Sequence, residues 1–228
     1  MATATIYAHS ADANLESGSV FPESSWSAAR AGTGSGGITK RDQARYFACH
    51  VDYNVGTALA YGVSRSFLCF DLASNVPAGA TITAVDLYVY VYGASSADGG
   101  SVQLVASTQA SPTALATSDW SAVGSTDLAT AKTFASLTTG AYNTFSLNAA
   151  GITAANAAIS SYLKLAFRAS KDVSNTAPTD RSYMSISYSD QTGSGEDPYI
   201  VVTYTPPPGA GAMRRRPSGL IAPARFVR

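Results

Sequence analysis

The sequence predicts an all-β chain: a jelly-roll-like antiparallel β-sandwich of about ten strands with an extended C-terminal tail. Three observations carry this expectation. Residues 82–92 alternate strictly, with Val85, Leu87, Val89 and Val91 on one face and Asp86, Tyr88, Tyr90 and Tyr92 on the other. A period of two in β-branched and aromatic residues is the signature of a half-buried strand. Short apolar or alternating runs recur along the chain with Gly, Pro, Asn and Ser between them, and one stretch alone, 148–159, has a helical composition.

Residues 3–9 alternate weakly and are expected to form the first strand. Residues 12–18 and 32–37 read as turn-rich loops, the second flexible through its glycines. Strands are expected at 46–53, 65–72, 82–92 and 102–107, followed by a long connection, 110–125, that carries Trp120. Residues 133–137 and 141–147 suggest a hairpin around 138–140. After the helical stretch, 162–170 alternates again, which puts Leu163, Leu165 and Phe167 inward and Lys164, Ala166 and Arg168 outward. Residues 171–179 read as loop, and 182–188 and 199–205 as the last two strands.

The segment 64–92 is organised as an apolar strand ending in Phe70-Asp71-Leu72, a turn Val76-Pro77-Ala78-Gly79-Ala80-Thr81-Ile82, and a long apolar strand. Near the end of the chain, a polar loop leads through Pro198 to a final strand containing Val202-Thr203-Tyr204. Together these resemble the DNRLRE-type β-sandwich domain over about residues 1–205. That family includes carbohydrate-binding modules and repeats of secreted and cell-surface proteins. The resemblance implies the sandwich fold and says much less about function, since sandwiches carry many unrelated activities.

Length and composition fit one domain with an appendage: 228 residues, 46% hydrophobic and 13% charged. The net charge is zero but unevenly placed. Residues 213–228 hold five arginines and no acid, so the rest of the chain has ten basic groups against fifteen acidic ones. A Pro/Gly linker, 206–212, separates the sandwich, 1–205, from this tail. Arg214, Arg215, Arg216 and Arg225 alternate with Leu220, Ile221 and Phe226, the composition of a docking peptide for an acidic groove. The acidic body offers no basic face, which argues against nucleic acid as a partner, and no run is long and apolar enough to span a membrane. The first residues lack the basic and apolar regions of a secretory signal.

Candidate chemistry is sparse. His9 and His50 are the two histidines; they form no zinc-binding spacing, and no nucleophile elbow or phosphate loop is present. The expectation is therefore a protein that is not an enzyme and has no cofactor. Calcium is the one metal with candidates, Asp190, Glu196 and Asp197 in one oxygen-rich loop, for which a plain solvated loop is the simpler reading. Tyr88, Tyr90 and Tyr92, with Lys164 and Arg168 as neighbours, suggest a glycan-binding or subunit-packing face. Cys49 and Cys69 are equidistant from Leu59, so a plain antiparallel pairing of their strands would set the sulfurs opposite each other. A cross-strand disulfide and two buried thiols both remain open.

Two functions fit these observations. The first is a virion structural protein, a bacteriophage capsid decoration or an external fibre or spike component, oligomeric and docked to other virion proteins by its tail. It would be made in the host cytoplasm and exposed outside after lysis, with host-surface polysaccharide as a further partner. The tail also resembles short basic termini on virion-associated β-domains. The second is a carbohydrate-binding module of a secreted or cell-surface protein.

Overall fold

The computed structural model describes residues 1–10, 12–17, 25–34, 36–41, 43–54, 60–189 and 195–208. Among these, twelve strands form one large, curled antiparallel sheet with three short helices, an all-β fold consistent with a sandwich. The strands are β1 (Ala2–Tyr7), β2 (Ala13–Ser17), β3 (Ile38–Arg41), β4 (Arg45–Asn54), β5 (Ala60–Asp71), β6 (Thr81–Ser96), β7 (Ser101–Ala106), β8 (Lys132–Thr133), β9 (Ala141–Ser146), β10 (Tyr162–Ala169), β11 (Ser182–Ser187) and β12 (Tyr199–Thr205). The helices are α1 (Trp26–Ala31), α2 (Ala149–Ala157) and α3 (Ser170–Ser174).

Strand pairing divides the curled sheet into two layers. One layer runs β4-β11-β6-β9 and the other β5-β10-β7-β8, joined where β4 pairs with β5. Strand β5 makes the corner. Its residues 60–65 pair with β4 and residues 66–71 with β10, while β2 pairs with residues 63–67. The layers meet through the core: Phe145 of β9 and Phe167 of β10 lie with ring centroids 5.1 Å apart. β6 is the longest strand, holding β9 along one edge and β12 and β11 in succession along the other. Its aliphatic face is buried, as the alternation predicts, with Val85, Leu87, Val89 and Val91 at 1% exposure or less. Ile82 joins that face because the register with β12 skips Thr83, a bulge that inverts the side-chain alternation.

Several local expectations are corrected. The supposed loop at 12–18 contains β2, whose residues are all buried because β3 and β5 flank it, although Asn14, Glu16 and Ser17 are polar. No hairpin forms at 133–147: β8 pairs with β7, Phe134–Ser136 makes a 3-10 turn, and β9 pairs with β6. Residues 170–174 are helix α3 rather than loop. Arg168 does lie on the face opposite Leu165 and Phe167, yet it is only 5% exposed, because that face is covered and its guanidinium reaches Asp172 and the Gly124 carbonyl. The cysteines are free and buried. Cys49 lies opposite Arg65 and Cys69 opposite Lys164, since the β4–β5 register is offset from the one centred on Leu59.

The helical expectation holds in α2, where the Asn148 side chain accepts from the Gly151 N–H at the N-terminus. β12 ends at Thr205. The tail candidates Arg214, Arg215, Arg216, Leu220, Ile221, Arg225 and Phe226 lie outside the described residues, as does Asp190. Among the described residues no helix is long and apolar enough to cross a membrane.

Candidate functional site

The polar face of β6 becomes a tyrosine terrace because four strands contribute to it in register. Tyr7, Tyr199 and Tyr88 are directly opposed across β1, β12 and β6, and Tyr90 is opposed to Tyr142 of β9. Directly opposed side chains on one sheet face stand close enough to pack. Tyr88 and Tyr199 stack at 4.7 Å with planes 9° apart; Tyr7 tilts against Tyr199 at 5.6 Å, and Tyr142 meets both Tyr199 and Tyr90 edge-on. The Tyr142 hydroxyl donates to the Asp197 carbonyl, and burial first, then Tyr199, pushes its pKa up to about 12. Tyr7 and Tyr92 are the exposed ends of the terrace, at 49% and 56%.

Next to Tyr92 the terrace passes into an open cleft of about 220 Å³. Two irregularities in pairing lie beside it: the β11–β6 register skips Tyr92 and the β11–β4 register skips Ala48. Such bulges re-aim side chains, and here they accompany the turning of Tyr92 outward. The Arg45 guanidinium sits 5.2 Å from the Tyr92 ring centre, and that of Arg181 sits 4.9 Å from both Phe47 and Tyr183. Arg45 also donates to Glu196 at 2.7 Å. The Ser187 hydroxyl first, and Arg45 second, hold the Glu196 carboxyl below the usual range. The whole is a band of tyrosine and arginine from Tyr7 to Arg181, with cation–π contacts between the guanidiniums and the rings.

Of the residues named from sequence, Tyr88, Tyr90 and Tyr92 share this face, whereas Lys164 and Arg168 do not. Both stand on β10, separated from β6 by β5, β4 and β11 in the sheet order. The Lys164 ammonium donates to the Gln109 carbonyl and Arg168 to Asp172. Sequence reading missed Tyr7, Tyr142, Tyr199, Arg45, Phe47, Arg181 and Tyr183. The alternation of each strand was visible, but the register that aligns them was not. Glu196 is committed to Arg45 and Ser187, and among the described residues no three His, Cys, Asp or Glu side chains converge as metal ligands would.

The candidate proton carrier and nucleophiles, His50, Cys49 and Cys69, lie in the interior. His50 is 5% exposed beside Ser64, and burial, reinforced by Arg181, lowers its pKa to about 3, so the ring is neutral at pH 7. Burial raises both thiols, that of Cys69 to about 12. A neutral, buried imidazole and protonated thiols are poor candidates for proton transfer or nucleophilic attack on a solvent-borne substrate. No protein-family model and no curated protein matches this chain.

Proposed function

We propose that this chain is a non-enzymatic structural protein of a virion, a bacteriophage capsid decoration or an external fibre or spike component. The observation that carries the reading is the band of tyrosine and arginine across β1, β12, β6, β9, β11 and the start of β4. Tyr and Arg are the residue types concentrated at the energetic centres of protein interfaces, where rigid rings and planar guanidiniums bury area at low entropy cost. The band faces a neighbouring subunit, and the basic, apolar tail docks in an acidic groove of another virion protein. The sequence resemblance to DNRLRE-type sandwiches supports the same placement outside cells.

The second reading, a carbohydrate-binding module, draws its support from the Arg45–Tyr92 and Arg181–Phe47–Tyr183 cleft of about 220 Å³, which sets rings and guanidiniums side by side. The terrace itself favours protein packing, since Tyr88 and Tyr199 cover each other's faces and leave those faces closed to a pyranose. The test compares the full chain with a chain lacking residues 206–228 in co-sedimentation with purified particles, alongside glycan-array binding of both. Association that needs the tail, with an unchanged melting temperature on its removal, is the expected result. Micromolar glycan binding without particle association would replace the first reading by the second.

A further inference from the structure

A second cluster lies away from the tyrosine band, at the corner where β5 passes from β4 to β10. Arg65 stands at that junction, opposite Cys49, and its guanidinium donates to both carboxylate oxygens of Asp172, at 2.8 and 2.7 Å. Arg168 reaches the same carboxylate at 2.8 Å, and the Arg30 Nε lies 3.5 Å from it while donating to the Asp172 carbonyl. Asp172 is completely buried, and the Arg65 and Arg168 side chains are 5% and 6% exposed. Trp120 closes one side: its ring lies 4.1 Å from the Arg65 guanidinium carbon, and its indole N–H donates to the Arg30 carbonyl.

Three guanidiniums thus share one carboxylate. Burying charge is costly unless it is matched, and here two positive charges exceed the acid beneath them. Backbone carbonyls of Trp120, Arg30, Gly124 and Asp172 take some of the N–H donors. They carry only partial charge, and among the described residues neither terminal nitrogen of Arg30 has a hydrogen-bond partner. The three arginines, Trp120 and the exposed Ser121 line an open cleft of about 260 Å³, and among the described residues its lining holds no acidic side chain.

We propose that this cleft is an oxyanion site, taking a dianionic phosphate or sulfate group between Arg30, Arg65 and Arg168 with Ser121 at its rim. A doubly charged group matches the surplus; the terminal nitrogens of Arg30 supply N–H donors, while Arg65 and Arg168, engaged by Asp172 and backbone carbonyls, supply chiefly charge. Arg30, a third exposed, is the arm that closes on the ligand, while Arg65 and Arg168 are fixed by Asp172. The site is independent of the virion reading and stands if that reading fails.

The test is calorimetric titration of the full chain at pH 8 with inorganic phosphate, inorganic sulfate and glucose 6-phosphate at constant ionic strength, with the Trp120 indole N–H followed by NMR. Saturable binding that shifts the Trp120 resonance is expected. Binding of the inorganic ions identifies a free anion as ligand, and binding of the ester alone identifies a phosphate monoester. Arg30→Gln, scored as folded by a cooperative melt, should weaken binding about tenfold or more, the loss of a charge-assisted contact. If Arg30→Gln fails to fold, Ser121→Asp serves instead; it places a carboxylate on the exposed rim and should abolish binding. Absence of saturable binding for all three ligands, or unaltered affinity in a folded variant, overturns the proposal.

Discussion

Tyr88 and Tyr199 stack face to face across the β6–β12 pairing, ring centroids 4.7 Å apart and planes 9° from parallel. Tyr199 is the hub of the terrace, since it also packs against Tyr7 and Tyr142. Tyr199→Ala should therefore cost about 2–4 kcal/mol, as each aromatic pair contributes roughly 0.5–1.5 kcal/mol beyond its buried area. Tyr92→Ala, at the exposed end, should cost less than about 1 kcal/mol. Equal losses in denaturant melts of the two variants would contradict this arrangement of rings.

Val85 stands at 1% exposure on the aliphatic face of β6, the strand that binds β9, β11 and β12. Val85→Asp places an unpaired charge there at a cost of several kcal/mol, comparable with the whole stability of a domain. The variant should lack a cooperative melt by circular dichroism. A soluble variant melting with the wild type would mean that β6 buries its other face.

Gly32 follows α1 at φ 69°, and a β-carbon there would meet Ile38 Cδ1 at 2.3 Å and the Trp120 ring at 2.9 Å. Gly32→Ala should therefore destabilise by at least about 1–2 kcal/mol, combining left-handed strain with displacement of Trp120. Trp fluorescence should shift in the same variant. An unchanged melt and spectrum would show that Trp120 is not held against α1.

His50 supplies a pH dependence. Its folded pKa, about 3, lies below the ordinary value of 6.5, so the unfolded chain binds the proton more tightly. The stability this contributes is present above pH 6.5 and declines as pH falls from 6.5 toward 3, at up to about 1.4 kcal/mol per pH unit. Asp172 adds a second loss at lower pH. Burial raises its carboxyl, but the hydrogen bonds of Arg65 and Arg168 outweigh that and leave it below the usual range, so its contribution fades below about pH 4. His50→Gln should flatten the stability profile between pH 7 and 5. A slope identical to wild type would place the imidazole in solvent.

The legible parts of this fold were those in which one strand carries its own evidence. The alternation of 82–92 fixes which face of β6 is buried without reference to any partner. β2 was hidden because Asn14, Glu16 and Ser17 carry a polar pattern into a position buried by two neighbouring strands. The alternation of 162–170 puts Arg168 on the outward face, and Asp172, four residues later on α3, makes its burial there possible. The tyrosine band needed the register of β1, β9 and β12 against β6, and long-range register is written in the packing of both strands rather than in either alone. The arginine cluster needed still more, since Arg30, Arg65, Arg168 and Asp172 converge from α1, β5, β10 and α3.

We propose above that this chain is a structural component of a virus particle, its tyrosine–arginine band packed against a neighbouring subunit and its tail docked to another virion protein. Quantitative mass spectrometry of density-purified extracellular particles tests it most directly, comparing wild type with Tyr92→Ala/Arg181→Ala. The wild-type chain is expected in the particle fraction at a copy number comparable with a capsid component, with a clear depletion of the folded double variant. Recovery of the wild-type chain only as free protein, with none in the particle fraction, would contradict it.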